Sequence, residues 1–410
     1  MLLSYVILTH NRRDSLLRTL RVLVDHTPLP ADQWEAVVVD NASSDGTVRA
    51  VRHAFPSVRV ISRTRNEGSP ARNAGARIAA GEFLIFLDDD SYPCGDAVTQ
   101  SLHYMQRHHR VGLVGGRVHL PDYTEDAAAL PIIMPACAMC VRRSAFLAIG
   151  GFCDDFFRQA EEYDLIFRLL AAGWDVRRLE HVEYRHEKIS RSRSPELIQQ
   201  LDLRNNLVLA ARFLPPELRR EYRRDWLRRY TALALHNGHS EALRRTVAGT
   251  RGACLREARA GRHLLDAALV EVIFQLAHQA RAVRQWAQAL NIKRIVIADH
   301  TKNLYATWRA CQLADLHVLA VADNHPSYAG MTYRGVAILA EAQAAALHPD
   351  AVVLSNINPA CIERRMNSLA GRFACPILRL WEPVGEAEHS PAAPHQQHDR
   401  RREQYPRLAV

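Results

Sequence analysis

The sequence predicts an α/β protein whose first half is a doubly wound, mostly parallel sheet. Apolar runs of strand length alternate with segments of helical spacing, and polar clusters gather where each apolar run stops. One run, Phe83-Leu84-Ile85-Phe86-Leu87, ends abruptly in Asp88-Asp89-Asp90. A wholly apolar run between Gly81 and Pro93 fits a strand covered on both faces. Three adjacent carboxylates repel one another unless a cation meets them. The carboxyl edge of such a sheet is where ligands bind, and hard oxygen donors there suit Mg²⁺ or Mn²⁺ shared with a substrate's phosphates.

The elements follow in order. Residues 1–9 form a first strand that runs into His10-Asn11-Arg12-Arg13-Asp14. Leu16, Leu17, Leu20, Val22, Leu23 and Val24 then mark a helix. A second strand at 36–39 ends in Asp40-Asn41-Ala42-Ser43-Ser44-Asp45-Gly46-Thr47, a polar loop with capping residues ahead of Val48 and Val51. A third, at 58–61, runs on to Asn66-Glu67-Gly68-Ser69-Pro70-Ala71-Arg72-Asn73-Ala74-Gly75, with Ser69 as cap and Pro70 at the first helical position. The fourth strand carries the three acids. Later, Glu161-Glu162-Tyr163-Asp164 open a helix that continues through Leu165, Ile166, Leu169 and Leu170. Acids in a first turn favour the helix dipole, and Asp164 with Arg168 makes an (i, i+4) pair. Val182-Glu183-Tyr184 reads as a short strand leading to His186.

Taken together, Thr9-His10-Asn11-Arg12, Val39 to Thr47, Ala71-Arg72-Asn73-Ala74-Gly75, Asp88-Asp89-Asp90 and the stretch from Gly150-Gly151-Phe152 to Gln159-Ala160-Glu161-Glu162-Tyr163-Asp164-Leu165 resemble family 2 glycosyltransferases of the GT-A fold. Arg168-Leu169 and Ala172-Gly173-Trp174 continue the similarity, which covers roughly residues 1 to 215. The resemblance implies an inverting, metal-dependent glycosyltransferase that moves a sugar from a nucleotide-diphosphate sugar to a glycan or lipid-linked acceptor hydroxyl, in the building of a bacterial surface glycan. It implies that Asp40 reads the base and that Thr9 and Arg72 contact the nucleotide or diphosphate. Asn11, Arg12, Asn41, Asn73 and Asp89 belong to the same donor-binding motifs. Asp88 faces the ribose or the metal, and Asp90, as the last acid of a DXD-type motif, holds Mn²⁺ or Mg²⁺. His186 joins the metal or touches the diphosphate. Glu162 stands where the family usually has Asp and is the expected general base, with Glu161 and Asp164 in reserve. A single base without a paired nucleophile and acid fits inversion. Arg191, Arg193 and Arg204-Asn205-Asn206 match the family's tail, as phosphate clamps or as a solvated helix face.

Composition sets further bounds. The chain has 410 residues, room for two or three domains, and a formal charge of +9. That charge is carried by arginine, since Lys188, Lys293 and Lys302 are the only lysines. The stretch Arg219-Arg220-Glu221-Tyr222-Arg223-Arg224-Asp225-Trp226-Leu227-Arg228-Arg229-Tyr230 reads first as a solvated helix face with apolar residues turned inward, and it also suits peripheral contact with an anionic membrane. No nucleic-acid-binding motif accompanies it. The apolar stretch 264–277 is broken by Asp266, Glu271 and Gln275 and is too short to span a membrane. The first strand begins too early for a secretory signal, so a cytoplasmic protein, able to sit at the inner membrane face, is expected. Cys137-Ala138-Met139-Cys140 has zinc-like spacing without a second pair, and buried thiols are the expected state.

Residues 216–290 read as helical. Beyond them, strands at 294–298, 316–321, 351–354 and 376–380 alternate with helices, which resembles a small Rossmann-like module over 291–381. Its first loop, Ala298-Asp299-His300-Thr301-Lys302-Asn303, has no glycine to let a backbone approach a pyrophosphate. Docking, acceptor presentation or regulation is therefore expected of it. The tail 382–410, rich in Pro, His and Gln, reads as disordered. Two other readings compete: a non-catalytic sugar-nucleotide-binding protein, and a nucleotidyltransferase. The latter needs a Gly-rich, Lys-containing loop after the first strand, and His10-Asn11-Arg12-Arg13 is not one.

Overall fold

The computed structural model describes residues 1–380 except 123, 127, 131, 189–193, 262, 263 and 358, and excepting also the side chains of 359 and 360. Arg191, Arg193 and the tail expected to be disordered therefore lie outside the described residues. The first half runs β1 (Leu3–Thr9), α1 (Arg13–His26), β2 (Trp34–Asp40), α2 (Thr47–Ala54), β3 (Arg59–Ser62), α3 (Arg72–Ile78) and β4 (Phe83–Asp88). It continues β5 (Ser91–Cys94), α4 (Ala97–Arg107), β6 (Val111–His119), β7 (Met139–Arg142), α5 (Arg143–Ala148), α6 (Glu161–Ala171) and β8 (Asp175–His186). These strands form one eight-stranded sheet in the order β3-β2-β1-β4-β7-β6-β8-β5. β3, β2, β1 and β4 are parallel neighbours.

That order decides where the site is. The chain winds from β1 outward to β3, then crosses back to place β4 on the other side of β1. The carboxyl ends of β1 and β4 thus flank a topological switch point, where open α/β sheets leave a crevice for ligands. The expected apolar strands are fully buried here: Phe83 to Leu87 have no exposed surface. Gly75 shows how tightly the flanking helix lies, because a Cβ there would sit 2.6 Å from Val6 Cγ1 and 2.8 Å from Val39 Cγ2.

Two local expectations are corrected. Ser69 does not cap the helix at Arg72; residues 69–71 form a 3₁₀ turn, and the Ser69 hydroxyl is committed elsewhere. The short strand expected before His186 is the end of the twelve-residue β8. The short edge strand β5, which Pro93 disguises, pairs antiparallel with that end of β8 and so fixes Ser91 opposite His186. Proline is tolerated there because the strand is at the sheet edge.

Five helices follow: α7 (Pro195–Phe213), α8 (Pro216–His236), α9 (Ser240–Ala260), α10 (Ala267–Phe274) and α11 (Leu276–Ala289). The apolar stretch at 264–277 divides at Gln275, whose φ of 51° ends one helix and starts the next. No described helix is long and apolar enough to cross a membrane. The remaining elements are β9 (Arg294–Ala298), α12 (Leu304–Leu313), β10 (His317–Ala322), β11 (Thr332–Tyr333), β12 (Val336–Leu339), α13 (Glu341–Ala345), β13 (Ala351–Leu354), α14 (Pro359–Ala370) and β14 (Ile377–Arg379). The second sheet has the order β11-β12-β10-β9-β13-β14, parallel apart from the β11 edge, with its own switch point between β9 and β13.

The basic, aromatic stretch of α8 is a solvated face with its apolar residues turned inward: Arg220, Arg223 and Arg224 are exposed. Tyr222, Trp226 and Tyr230 are buried, and Tyr222 packs on Tyr305 of α12 with ring centroids 5.5 Å apart. Arg228 donates to the Thr332 carbonyl at 2.8 Å, and Arg229 donates to the His300 carbonyl. In return, Arg334 pairs with Glu221 at 2.7 Å and Asp225 at 3.1 Å. Arg228, Arg229 and the aromatics of α8 thus form the seam between the two sheets. One hydrophobic cluster runs from Val6 and Phe86 through Phe213, Tyr222 and Trp226 to Ile295 and Val353.

Candidate active site

The three acids close on cations at the switch point, as their mutual repulsion requires. Asp90 is wholly buried, 2.7 Å from Arg12 Nη2 and 3.4 Å from His186 Nε2. Asp89 accepts from Thr9 Oγ1 at 2.9 Å across the switch point and lies 3.2 Å from Arg12 Nε. Burial, opposed by Arg12 and reinforced by Asp90 and Asp88, pushes the Asp89 carboxyl up to about 7. Asp88, one third exposed, pairs with the buried Arg72.

His186 gathers a second group. Its Nδ1 lies 3.5 Å from Asp126 and 3.7 Å from Cys137 Sγ, and its Nε2 is 3.9 Å from Asp88. Burial works against a charged ring, but Cys137, Asp126 and Asp90 outweigh it and raise the imidazole. Asp88, Cys137 and His186 can each turn a ligand atom within 4.8 Å of the others. The carboxylate and imidazole suit Mn²⁺, whereas a thiol is a soft donor. Burial raises the Cys137 thiol against the pull of the neighbouring His186. The set therefore fits a divalent ion through Asp88 and His186, with Asp90 beside the same imidazole nitrogen. Cys137 and Asp126 escaped sequence reasoning, because the CxxC spacing pairs Cys137 with Cys140, which is buried in β7 away from that ring.

The other donor-motif residues divide into two kinds. Asp40 is buried; its Oδ2 accepts weakly from Ser43 N at 3.3 Å, and its Oδ1 takes no hydrogen bond from any described residue. A strand-end carboxylate with an open acceptor suits a base N–H. Asn41, Asn73 and Asn11 instead hold backbone. Asn41 accepts from Glu67 N and donates to Asn66 and the Gly68 carbonyl. Asn73 bonds Phe152 N and O at 2.8 Å each. Asn11 accepts from Ser44 N at 2.7 Å.

The acids of α6 face different surroundings. Glu161 accepts from Ser69 Oγ at 2.7 Å, next to the turn that presents Arg72. Gly68 makes this approach possible: at φ +69° its backbone lies so close to Phe157 that a Cβ would meet the Phe157 carbonyl oxygen at 2.0 Å. Glu162 is half-buried, and burial and then the Glu161 charge raise its carboxyl well above the ordinary range. Asp164 is sealed between Arg168 Nη2 and Arg212 Nη1, each at 2.5 Å. The tail residues Arg204 and Asn205 bind the carbonyls of Asp155, Arg158 and Gln159, so they brace the loop before α6.

Residues 4–131 match the profile of Glycosyl transferase family 2. An uncharacterised glycosyltransferase of Haemophilus influenzae is 24% identical over 188 residues, which is 41% of this chain and 62% of that protein. A poly(ribitol-phosphate) beta-glucosyltransferase of Bacillus spizizenii is 34% identical over 103 residues, 24% of this chain and 16% of that one. The chain thus spans less than two thirds of these curated relatives. The crystal structure of Staphylococcus aureus TarS 1-349 superposes with a TM-score of 0.47 at 17% identity, covering 75% of this chain and 89% of that one. The profile ends past β6 and so takes in Thr9, Asp40, Arg72 and the three acids. The N-terminal domain of this chain is thus similar to Glycosyl transferase family 2 over residues 4–131.

Proposed function

We propose that the chain is an inverting glycosyltransferase acting on a nucleoside-diphosphate sugar, with a glycan or lipid-linked hydroxyl as acceptor. One observation carries the reading. The half-buried, raised carboxyl of Glu162 opens a helix that is tied, through Glu161 and Ser69, to the turn presenting Arg72 against Asp88. A base and a phosphate-binding edge are thereby held in one frame. In this reading Asp40 accepts from the base of the donor, and Thr9 and Arg12 hold the carboxylate row in register. Arg72 contacts the diphosphate. Mn²⁺ or Mg²⁺ held by Asp88, His186 and Asp90 would neutralise charge on the departing diphosphate.

Glu162 takes the proton of the acceptor hydroxyl as its oxygen attacks the anomeric carbon. The bond from that carbon to the phosphate oxygen breaks, and its electron pair leaves with the diphosphate. A raised carboxyl is the better base near neutral pH, provided it is ionised. Exposed Arg220 and Arg223 of α8 and Arg244 and Arg245 of α9 remain available for peripheral contact with the inner membrane face. The test is a screen of nucleotide sugars for thermal stabilisation with and without Mn²⁺, followed by transfer to acceptor hydroxyls with the best donor. Stabilisation by a donor without transfer or hydrolysis would favour a binding protein instead.

A further inference from the structure

The first loop of the second sheet reaches into the donor domain. Lys302 Nζ lies 3.0 and 3.2 Å from the two carboxylate oxygens of Asp202 on α7 and 5.8 Å from the ring centre of Tyr230 on α8. Tyr230 donates to the same carboxylate, and Asn206 Nδ2 holds it at 2.7 Å. The loop backbone is pinned on both flanks: Trp226 Nε1 donates to the Lys302 carbonyl at 3.4 Å, and Arg229 to that of His300. Lys302, Tyr163 and Asn206 line a small enclosed cavity against α6.

This cluster is the charged environment of Glu162 beyond its own helix. Tyr163, the residue next to Glu162 on α6, shares that cavity with Lys302 and Asn206, and the charges that bear on Glu162 are those of Glu161 on its own helix, Lys302 of the second sheet and Asp202 of α7, to which Tyr230 of α8 is bonded. Lysine is unusual in this chain, which otherwise relies on arginine for positive charge. An ammonium is a compact point charge on a flexible stem, where a guanidinium is a broad planar fork. We propose that the second module completes the acceptor half of the site, with Lys302 as a positioning residue whose ammonium, held by Asp202, sets the charge environment of Glu162. The inference rests on the reading of Glu162 as the base.

The two partners must act on Glu162 with opposite sign, since the ammonium favours its ionised form and the Asp202 carboxylate disfavours it. Carbodiimide coupling consumes protonated carboxyls, so labelling of Glu162 with a glycine ester in the full chain, mapped by mass spectrometry across a pH series, reads its midpoint directly. Lys302→Met should move that midpoint up by about one pH unit, and Asp202→Asn should move it down. Lys302→Arg should leave it near the parent value. Unmoved midpoints, or shifts of the same sign in both variants as a loosened fold would give, overturn the proposal. If Lys302→Met does not fold, Asp202→Asn decides alone: a fall supports the proposal and no movement overturns it. Opposed shifts in a protein that transfers no sugar would sink the reading of Glu162 as base and leave the coupling standing.

Discussion

Arg12 Nη2 stands 2.7 Å from Asp90 Oδ2, so the last acid of the row is charge-paired within the protein itself. Asp90 also faces His186, and it therefore couples the first loop to the proposed metal edge. Asp90→Asn should abolish transfer and weaken Mn²⁺-dependent donor binding at least tenfold while the fold persists. Removing a buried carboxylate from a paired arginine also costs stability, on the order of 3 kcal/mol. Calorimetric donor titration and a melting curve check both. Full turnover in the variant, or full parent activity in excess chelator, would defeat the metal assignment.

Cys137 separates the hard donors from the soft one. Cys137→Ser should keep Mn²⁺ binding, read by electron paramagnetic resonance, whereas Asp88→Ala should lose it. Equal loss in both would make the thiol a genuine ligand.

Glu162 and Asp164 are two positions apart on one helix and should respond differently. Glu162→Gln should lower turnover by about 10²-fold or more with donor affinity little changed. Activity of the parent should fall as pH drops through the raised Glu162 value, because only the ionised carboxyl accepts the proton. Asp164→Asn leaves Arg168 and Arg212 facing a neutral group and should destabilise the fold by about 3–5 kcal/mol. Should Glu161→Gln mimic the expected Glu162→Gln loss while Glu162→Gln does not, the base is misassigned.

His300 makes the seam sensitive to acid. Burial, with Arg229 and Arg228 nearby, pushes its imidazole down to about 3. Above its ordinary value of 6.5 the ring is neutral folded or unfolded, and no effect arises. As pH falls below 6.5 the unfolded chain binds a proton that the folded chain refuses, so stability declines until about pH 3. The full loss is at most about 5 kcal/mol. Denaturant titrations down the pH scale should show a shallower decline in His300→Gln than in the parent.

A chain ending at Leu290 tests the seam from the other side. In such a chain Tyr222 and Trp226 lose the cover of Tyr305 and the Lys302 loop. Aggregation or dye binding by exposed apolar surface is expected. A soluble truncated chain with parent donor affinity would show that the donor domain stands alone.

The strands of the first sheet were legible because burial on both faces leaves a continuous apolar run, as in Phe83 to Leu87. The acids at its end were legible because three adjacent carboxylates demand an explanation. Arg12 as their counter-charge was less so, since nothing local distinguishes one surface arginine from another. Cys137, Asp126 and Asp202 were illegible for a related reason: each matters through a partner distant in sequence, as Asp202 does through Lys302 a hundred residues on. In α8 the reading of arginines outward and apolar residues inward holds, but that the buried rings meet the second sheet was illegible, because Tyr305 and Thr332 lie far along the chain. Asn41 and Asn73 sit in donor motifs, yet their amides brace backbone, which periodicity and spacing do not reveal.

The aromatic strip of α8 has a consequence for the birth of the protein. Translation completes α8 before the second sheet that covers its outer rings exists, and about a hundred residues separate Tyr230 from Tyr333. At roughly 5–20 residues per second, that leaves the strip bare for on the order of ten seconds. During that interval the nascent chain has its donor sheet and its carboxylate row but neither Lys302 nor a closed seam. A holding chaperone therefore has a defined surface to grip, and the seam closes with the last strands rather than with the first domain.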